Sequence, residues 1–260
     1  MELNKIYNMD CFELLNKLDK NNMVDVILTS PPYNTSKKRG TWSKEQKFHY
    51  DIKTVDSMDD ENYMDFNTKL FNDFDRVLKK DGCVLYNMSY STDKPYLMYQ
   101  VINEIIKNTN FVIADTIVWK KKFALPNNMS HNRITRICEF VFVFCREKEL
   151  KTFKMNKEVL SIRPNGIKQY TNYYNFIEAK NNDVSCKLNK ATFSSDLVEK
   201  LLHMYAKEKA IVLDPFMGTG TTAIGCLKSN CNYIGSELSQ AQCEYSKERI
   251  NAYIKENNNM

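Results

Sequence analysis

The 260-residue sequence predicts an α/β fold: a mostly parallel, doubly wound sheet with one antiparallel strand and helices on both faces. Three observations carry that expectation. Short apolar runs such as Val24-Asp25-Val26-Ile27-Leu28 and Ala210-Ile211-Val212-Leu213 have the length and continuity of buried strands. Between such runs lie stretches of helical periodicity, most clearly Tyr63, Phe66, Leu70, Phe74, Val77 and Leu78. The two quoted runs lead directly into turns rich in proline or glycine, Thr29-Ser30-Pro31-Pro32-Tyr33-Asn34 and Asp214-Pro215-Phe216-Met217-Gly218-Thr219-Gly220-Thr221-Thr222. In an open α/β sheet ligands sit beyond the carboxyl ends of the strands, so these exits imply two adjoining pockets.

Taken in order, Asn4 to Tyr7 reads as a short edge strand, and Asp10 as the cap of a helix whose Phe12, Leu15 and Leu18 recur at near-helical spacing. The strand of residues 24–28 must stop at Pro31-Pro32, which remove two backbone donors and hold the chain extended. Residues 35–58 are polar and weakly periodic and read as a long binding loop or lid. A helix from Asp59 to Lys80, ended by Asp81-Gly82, precedes a strand at 83–88. Another helix follows at 95–107 and a strand from Phe111 to Trp119. Glu139 to Cys145 is the antiparallel strand, because too few residues precede it for a helical crossover. Residues 146–190 lack clean periodicity and read as an inserted lobe with a turn at Arg163-Pro164-Asn165-Gly166. Ser194 or Ser195 caps the next helix, which leads to the strand ending at Asp214. A helix from Ala223 to Lys228, a strand ending at Ser236-Glu237 and a helix over 239–256 complete the chain.

Composition narrows the class. A hydrophobic content of 43% is ample for a core. The longest strongly apolar run, Phe140 to Cys145, is far short of a membrane span. Eight scattered cysteines without a C-x-x-C pair argue against a disulfide framework or a zinc site, and no secretory leader is seen. A reduced, cytoplasmic enzyme with no metal is the expectation. Net charge is +5, but twelve Lys/Arg against four Glu fall between Thr116 and Tyr170, a concentration suited to a polyanion. Tyr170, Tyr173 and Tyr174 interleave with that basic stretch and its continuation, which suits phosphate contact plus stacking and equally suits the core of a small Tyr-rich subdomain.

The second exit is a strand, a Gly-x-Gly turn and a helix, with Glu237 about 23 residues after Asp214, at the end of the next strand and placed to accept ribose hydroxyls. Position 223 is Ala, so the full dinucleotide run is absent, and no Gly-Lys-Ser/Thr follows for a phosphate loop. A nucleoside cofactor without pyrophosphate fits, and S-adenosylmethionine is the common one. The first exit then has a use. An exocyclic amine on a nucleobase is a poor nucleophile, because its lone pair is delocalised into the ring. Acceptors at Ser30 and at the Pro31 carbonyl would favour a pyramidal nitrogen with its lone pair free. Pro32 stiffens that geometry, and Tyr33 offers a face on which a flipped base can stack.

With these residues in place the sequence resembles the amino-methylating DNA methyltransferases of the permuted β group, in which the catalytic motif precedes the cofactor motif. Thr29–Asn34 and Asp214–Thr222 match those two motifs, and Val118-Trp119-Lys120, Glu139 and Ala191-Thr192-Phe193 also look like family features. The resemblance implies a Rossmann-like fold with an inserted target-recognition lobe. It divides the chain into a catalytic half (1–145), a variable DNA-recognition lobe (146–190) and a cofactor-binding half (191–260). Catalysis would fall to Ser30, Pro31, Pro32 and Tyr33. The cofactor would meet Asp10, Cys11, Ala191, Thr192, Phe193, Asp214, Phe216, Gly218, Thr219, Gly220, Thr221 and Glu237. Residues 35–58 would share the grip on double-stranded DNA. A homodimer and a cognate restriction endonuclease are implied partners. The family often carries His-Pro before the Ala-Thr-Phe segment and Pro after it, where this chain has Asn189-Lys190 and Ser194. Members with serine at the first catalytic position are more often cytosine-N4 enzymes, yet a neutral hydroxyl serves adenine N6 equally well. Cytosine is favoured, adenine is the alternative, and RNA or a protein glutamine is the more distant one.

Overall fold

A computed structural model describes residues 1–18, 23–34, 58–124, 126–128, 130–183, 188 and 192–258. The long loop expected at 35–58 lies, but for Met58, outside the described residues. The chain runs β1 (Lys5–Asn8), α1 (Cys11–Lys17), β2 (Val24–Thr29), α2 (Asp60–Val77), β3 (Leu78–Met88), α3 (Leu97–Asn108), β4 (Phe111–Lys121) and β5 (Cys138–Arg146). It continues through β6 (Val159–Ile162), β7 (Lys168–Tyr170), β8 (Phe176–Ala179), α4 (Ser195–Tyr205), β9 (Ile211–Asp214), α5 (Thr221–Lys228), β10 (Asn232–Glu237) and α6 (Gln240–Asn258).

Eight strands form one sheet in the order β1-β10-β9-β2-β3-β5-β4-β8, and β6 with β7 forms a separate hairpin. Every pair in the large sheet is parallel except the two made by β5, the antiparallel strand the short connection required. Alternation along the strands separates two cores. Val26, Leu28, Cys83 and Leu85 face α4, α5 and α6, whereas Ile27, Val84 and Tyr86 face α1, α2 and α3. The fold is therefore doubly wound and Rossmann-like. From β2 the chain proceeds to β3 on one side, and from β9 to β10 on the other, although β2 and β9 are hydrogen-bonded neighbours. That reversal opens the crevice at the carboxyl ends of β2 and β9.

Two expectations differ from what is observed. The helix expected to reach Lys80 stops at Val77, and Leu78 to Asp81 belong to β3, with Leu78 paired to Val24. The cause is distant in sequence. Buried Arg146 donates to the carbonyls of Asp75 (2.7 Å), Leu78 (2.7 Å) and Lys79 (3.0 Å), satisfying groups at the helix end and the turn beyond it. Asp81 then turns the chain with a left-handed φ of 58°, so Asp81-Gly82 marks a strand irregularity and not the helix cap. Within 146–190, β8 joins the large sheet beside β4, and the hairpin of β6 and β7 is the part outside that sheet.

Helix α5 lies close against α4. A Cβ on Gly225 would stand 2.3 Å from Cγ1 of Val198, whose β-branched side chain cannot swing aside. Gly225→Ala is expected to destabilise the protein by about 1–3 kcal/mol although alanine is the better helix former. Urea unfolding checks this; an unchanged or raised midpoint would contradict the packing.

Candidate active site

The two strand exits meet through one buried bond. Thr29, the last residue of β2, donates its Oγ1 proton to Asp214 Oδ1 at 2.6 Å across 185 residues of sequence. Asp214 Oδ1 also accepts from the Phe216 amide (3.0 Å), and its Oδ2 accepts from Thr222 Oγ1. This aspartate thus anchors the glycine turn to β2 from beneath.

Burial pushes the Asp214 carboxyl up to about 6, against hydrogen bonds from Thr222, Thr29 and the Phe216 amide that pull it down. The folded value exceeds the ordinary one, so the stabilising contribution of this group is complete below about pH 4 and is lost as pH rises through about 6. Wild type is therefore expected to gain on the order of 2 kcal/mol over Asp214→Asn between pH 7 and pH 4. Urea unfolding of both proteins at the two pH values checks it, and parallel pH profiles would contradict it.

Beyond Thr29 the catalytic stretch enters a polar cluster. Ser30 Oγ and the Tyr33 hydroxyl are 2.9 Å apart. Asn87, at the end of the neighbouring strand β3, donates Nδ2 to the Tyr33 hydroxyl (2.7 Å), to Glu139 Oε2 (3.1 Å) and at longer range to Ser30 Oγ (3.4 Å). Glu139 on β5 also accepts from Tyr33 (3.4 Å) and pairs with Lys121 of β4. Burial, and then the charge of Glu139, hold the Tyr33 hydroxyl well above its ordinary range, so it stays protonated. The Tyr63 hydroxyl of α2 donates to the Pro32 carbonyl at 2.6 Å and fixes the proline turn. Asn34 follows in a left-handed conformation (φ 49°), a strain asparagine tolerates, and its Nδ2 donates to the Met58 carbonyl (2.9 Å). The buried Oδ1 atoms of Asn34 and Asn87 have no hydrogen-bond partner among the described residues.

The glycine turn is held from several sides. Gly218 (φ 54°) and Gly220 (φ 82°) adopt left-handed backbone, and Gly220 starts α5. Glu237, at the end of β10, accepts from the Gly218 amide (2.9 Å) and the Ser239 amide (2.8 Å). Burial raises its carboxyl above the usual range. Two such bonds leave part of a carboxylate's capacity, about four lone-pair sites, for hydroxyl donors. Asn8 of β1 lies opposite Glu237 and donates to its carbonyl (2.9 Å), which brings the following Asp10 and Cys11 to the same edge of the sheet. Asp10 caps α1 through the Phe12 amide (2.8 Å). Buried Cys11 has its thiol pushed up to about 12, chiefly by burial and then by Asp10, and serves as an apolar group. Phe216 packs on Phe66, and Phe66 on Phe12, in an aromatic row with ring separations of 6.2 and 5.4 Å. Phe193 is buried in the core beneath α4, Thr192 is half-buried, and Ala191 lies outside the described residues. A buried carboxylate with acceptor sites to spare at a strand end, a left-handed glycine turn and an apolar flank fit a nucleoside cofactor.

Sequence reasoning passed over Asn87, Tyr63 and Lys121 as parts of this site. Asn87 carried a usable signal, since a polar residue at the end of the apolar run Val84-Leu85-Tyr86 sits level with the first exit. The others act from helices or strands far away in sequence.

The proline exit and the glycine exit, joined at the switch point of the sheet, match the catalytic and cofactor motifs of the methyl-transferring enzymes that the sequence resembles, and known proteins bear that class out. The DNA methylase family, of the N6/N4 type, matches residues 24–248, and the chain belongs to it. S-adenosylmethionine is the methyl donor of that family. Among its relatives, type II methyltransferase M.BamHI of Bacillus amyloliquefaciens is 29% identical over 268 residues, covering 96% of this chain and 57% of the relative. The chain thus spans little more than half the length of M.BamHI. Orphan methyltransferase M.BamHII of the same organism is 26% identical, with 89% of this chain and 90% of the relative covered. Of solved structures, the cytosine-N4-specific PvuII DNA methyltransferase has a similar fold, with TM-score 0.70 and 19% identity over 95% of this chain and 86% of that one. The M1.HpyAVI–SAM complex matches with TM-score 0.60 and 23% identity over 94% and 97% of the two chains.

Proposed function

We propose that the protein methylates the exocyclic amine of a base flipped out of a specific sequence in double-stranded DNA, with cytosine N4 as the acceptor. The observation that carries this reading is the Thr29–Asp214 bond, which sets an amine-orienting turn directly beside a nucleoside-binding turn. Bound S-adenosylmethionine supplies an electrophilic methyl group. Its ribose falls to Glu237, and its other contacts to Phe216, the Gly218–Thr221 turn, Ala191 to Phe193, and Asp10 with Cys11, while Asp214 supports the turn.

In this reading Ser30 Oγ and the Pro31 carbonyl accept the two amine protons and keep the nitrogen lone pair free. Tyr33 stacks on the base, and Pro32, held by Tyr63, keeps the turn stiff. One amine proton must leave as the new N–C bond forms and the methyl–sulfur bond of the donor breaks, its electron pair staying on the departing thioether. The hydroxyls of Ser30 and Tyr33 and the carboxylate of Glu139 supply a hydrogen-bonded route for it. Serine at position 30, commoner among the cytosine-N4 members of the family, favours cytosine. Adenine N6 would use the same acceptors and is the alternative.

DNA contact is assigned to the 146–190 lobe, with its hairpin carrying Arg163, Lys168 and exposed Tyr170, and to residues 35–58. That lobe would part the catalytic half, 1–145, from the cofactor-binding half, 191–260. A homodimer acting in the cytoplasm beside a cognate restriction endonuclease completes the proposal. Methyl-labelled S-adenosylmethionine offered with unmethylated genomic DNA, total RNA and a protein extract in parallel tests the substrate class. Label in DNA alone is expected, and label confined to RNA or protein would refute it.

A further inference from the structure

Helix α6 reaches the site through one side chain. Arg249 Nη1 donates to the Thr219 carbonyl (3.0 Å) and to Thr221 Oγ1 (3.1 Å), on either side of left-handed Gly220. Its Nη2 pairs with Asp183. Asp183 in turn accepts from the amide (2.8 Å) and the hydroxyl (3.0 Å) of Ser195, the first residue of α4 and two beyond Phe193. The same helix braces the turn by packing, since a Cβ on Gly220 would meet Ser246 Cβ at 3.0 Å. The Arg249 and Asp183 side chains are only 14% and 18% exposed, so water screens the pair little.

We propose that Arg249 is a positioning residue for the methyl donor, coupling the glycine turn to the 192–195 segment through Asp183, so that the two sides of the cofactor pocket are set together. The inference rests on the cofactor reading given above. A turn with two left-handed glycines has little intrinsic preference for one shape, and a planar guanidinium with donors on two nitrogens can fix its carbonyl and the facing carboxylate at once. Lysine has one nitrogen and cannot hold the turn and Asp183 in the same geometry. Among the described residues the hydrogen-bond partners of Arg249 are Thr219, Thr221 and Asp183, none of them in the amine-orienting turn. Loss of Arg249 should therefore be felt in binding and not in the chemical step.

The test is calorimetric titration of wild type, Arg249→Ala, Arg249→Lys, Asp183→Asn and the double variant Arg249→Ala/Asp183→Asn with S-adenosylmethionine, beside steady-state kinetics on DNA. Arg249→Ala is expected to raise Kd and KM for the donor by about tenfold or more, with kcat at saturating donor within about threefold of wild type. Arg249→Lys should fall between the two, and Asp183→Asn should weaken binding less than Arg249→Ala does. The double variant should be no worse than Arg249→Ala, because Asp183 acts through the arginine. Donor affinity within about twofold of wild type in folded Arg249→Ala would overturn the proposal, as would full additivity in the double variant. Should Arg249→Ala fail to fold, wild-type affinity in both Arg249→Lys and Asp183→Asn would overturn it. Failure of wild type itself to bind the donor would remove the cofactor reading, and this coupling with it.

Discussion

Ser30→Ala is expected to lower kcat for DNA methylation by about 10²–10³-fold while leaving donor affinity and DNA affinity unchanged. The hydroxyl is placed by Tyr33 and Asn87 at the end of a rigid strand, with prolines following, so its loss is not made good by a neighbour. The size follows from removing one preorganised hydrogen-bond partner of a reacting group, whose interaction strengthens only as the amine nitrogen turns pyramidal. Single-turnover methyl transfer at saturating donor and DNA measures the effect on chemistry alone. A fall confined to KM would mean that Ser30 binds the base without orienting its amine.

Glu237→Ala carries the second large effect, an expected rise of about 10²-fold in the Kd for S-adenosylmethionine. Two losses combine. The ribose loses a charged acceptor, and the Gly218 amide loses the oxygen that holds it at 2.9 Å, so the turn is left to find its shape during binding. Glu237→Gln retains one acceptor oxygen and should lose less. Because burial raises the Glu237 carboxyl, donor affinity of the wild type should also weaken as pH falls through that raised range, and Glu237→Gln should lack this dependence. Calorimetric titration across pH checks both. An unchanged Kd in folded Glu237→Ala would take the ribose role from this residue.

Both strand exits were legible because their signals are local. Apolar runs broken by Pro31-Pro32 or by Gly218-Thr219-Gly220 identify strand exits from neighbouring residues alone, and alternation of buried positions then fixes which faces the helices cover. The antiparallel β5 followed from a loop-length argument of the same kind. What sequence could not convey depends on long-range partners. Asp214 reads as a ligand-contacting acid, but both its oxygens are engaged by Thr29, Thr222 and the Phe216 amide, a role set by a residue 185 positions away. Arg146 ends α2 from another strand, and Arg249 reaches the glycine turn from the last helix. Strand β8 is only four residues long, with alternating exposure at the sheet edge, too weak a pattern to separate from the loop around it.

The central claim is methylation of an exocyclic amine in DNA, at cytosine. Its most direct test incubates the protein with S-adenosylmethionine and unmethylated genomic DNA, digests the DNA and identifies the nucleosides by mass. N4-methylcytosine is the expected product and would give Ser30 its substrate. N6-methyladenine would keep the mechanism and overturn the choice of base. A donor-bound protein that leaves every nucleoside in the DNA unmodified would contradict the claim itself.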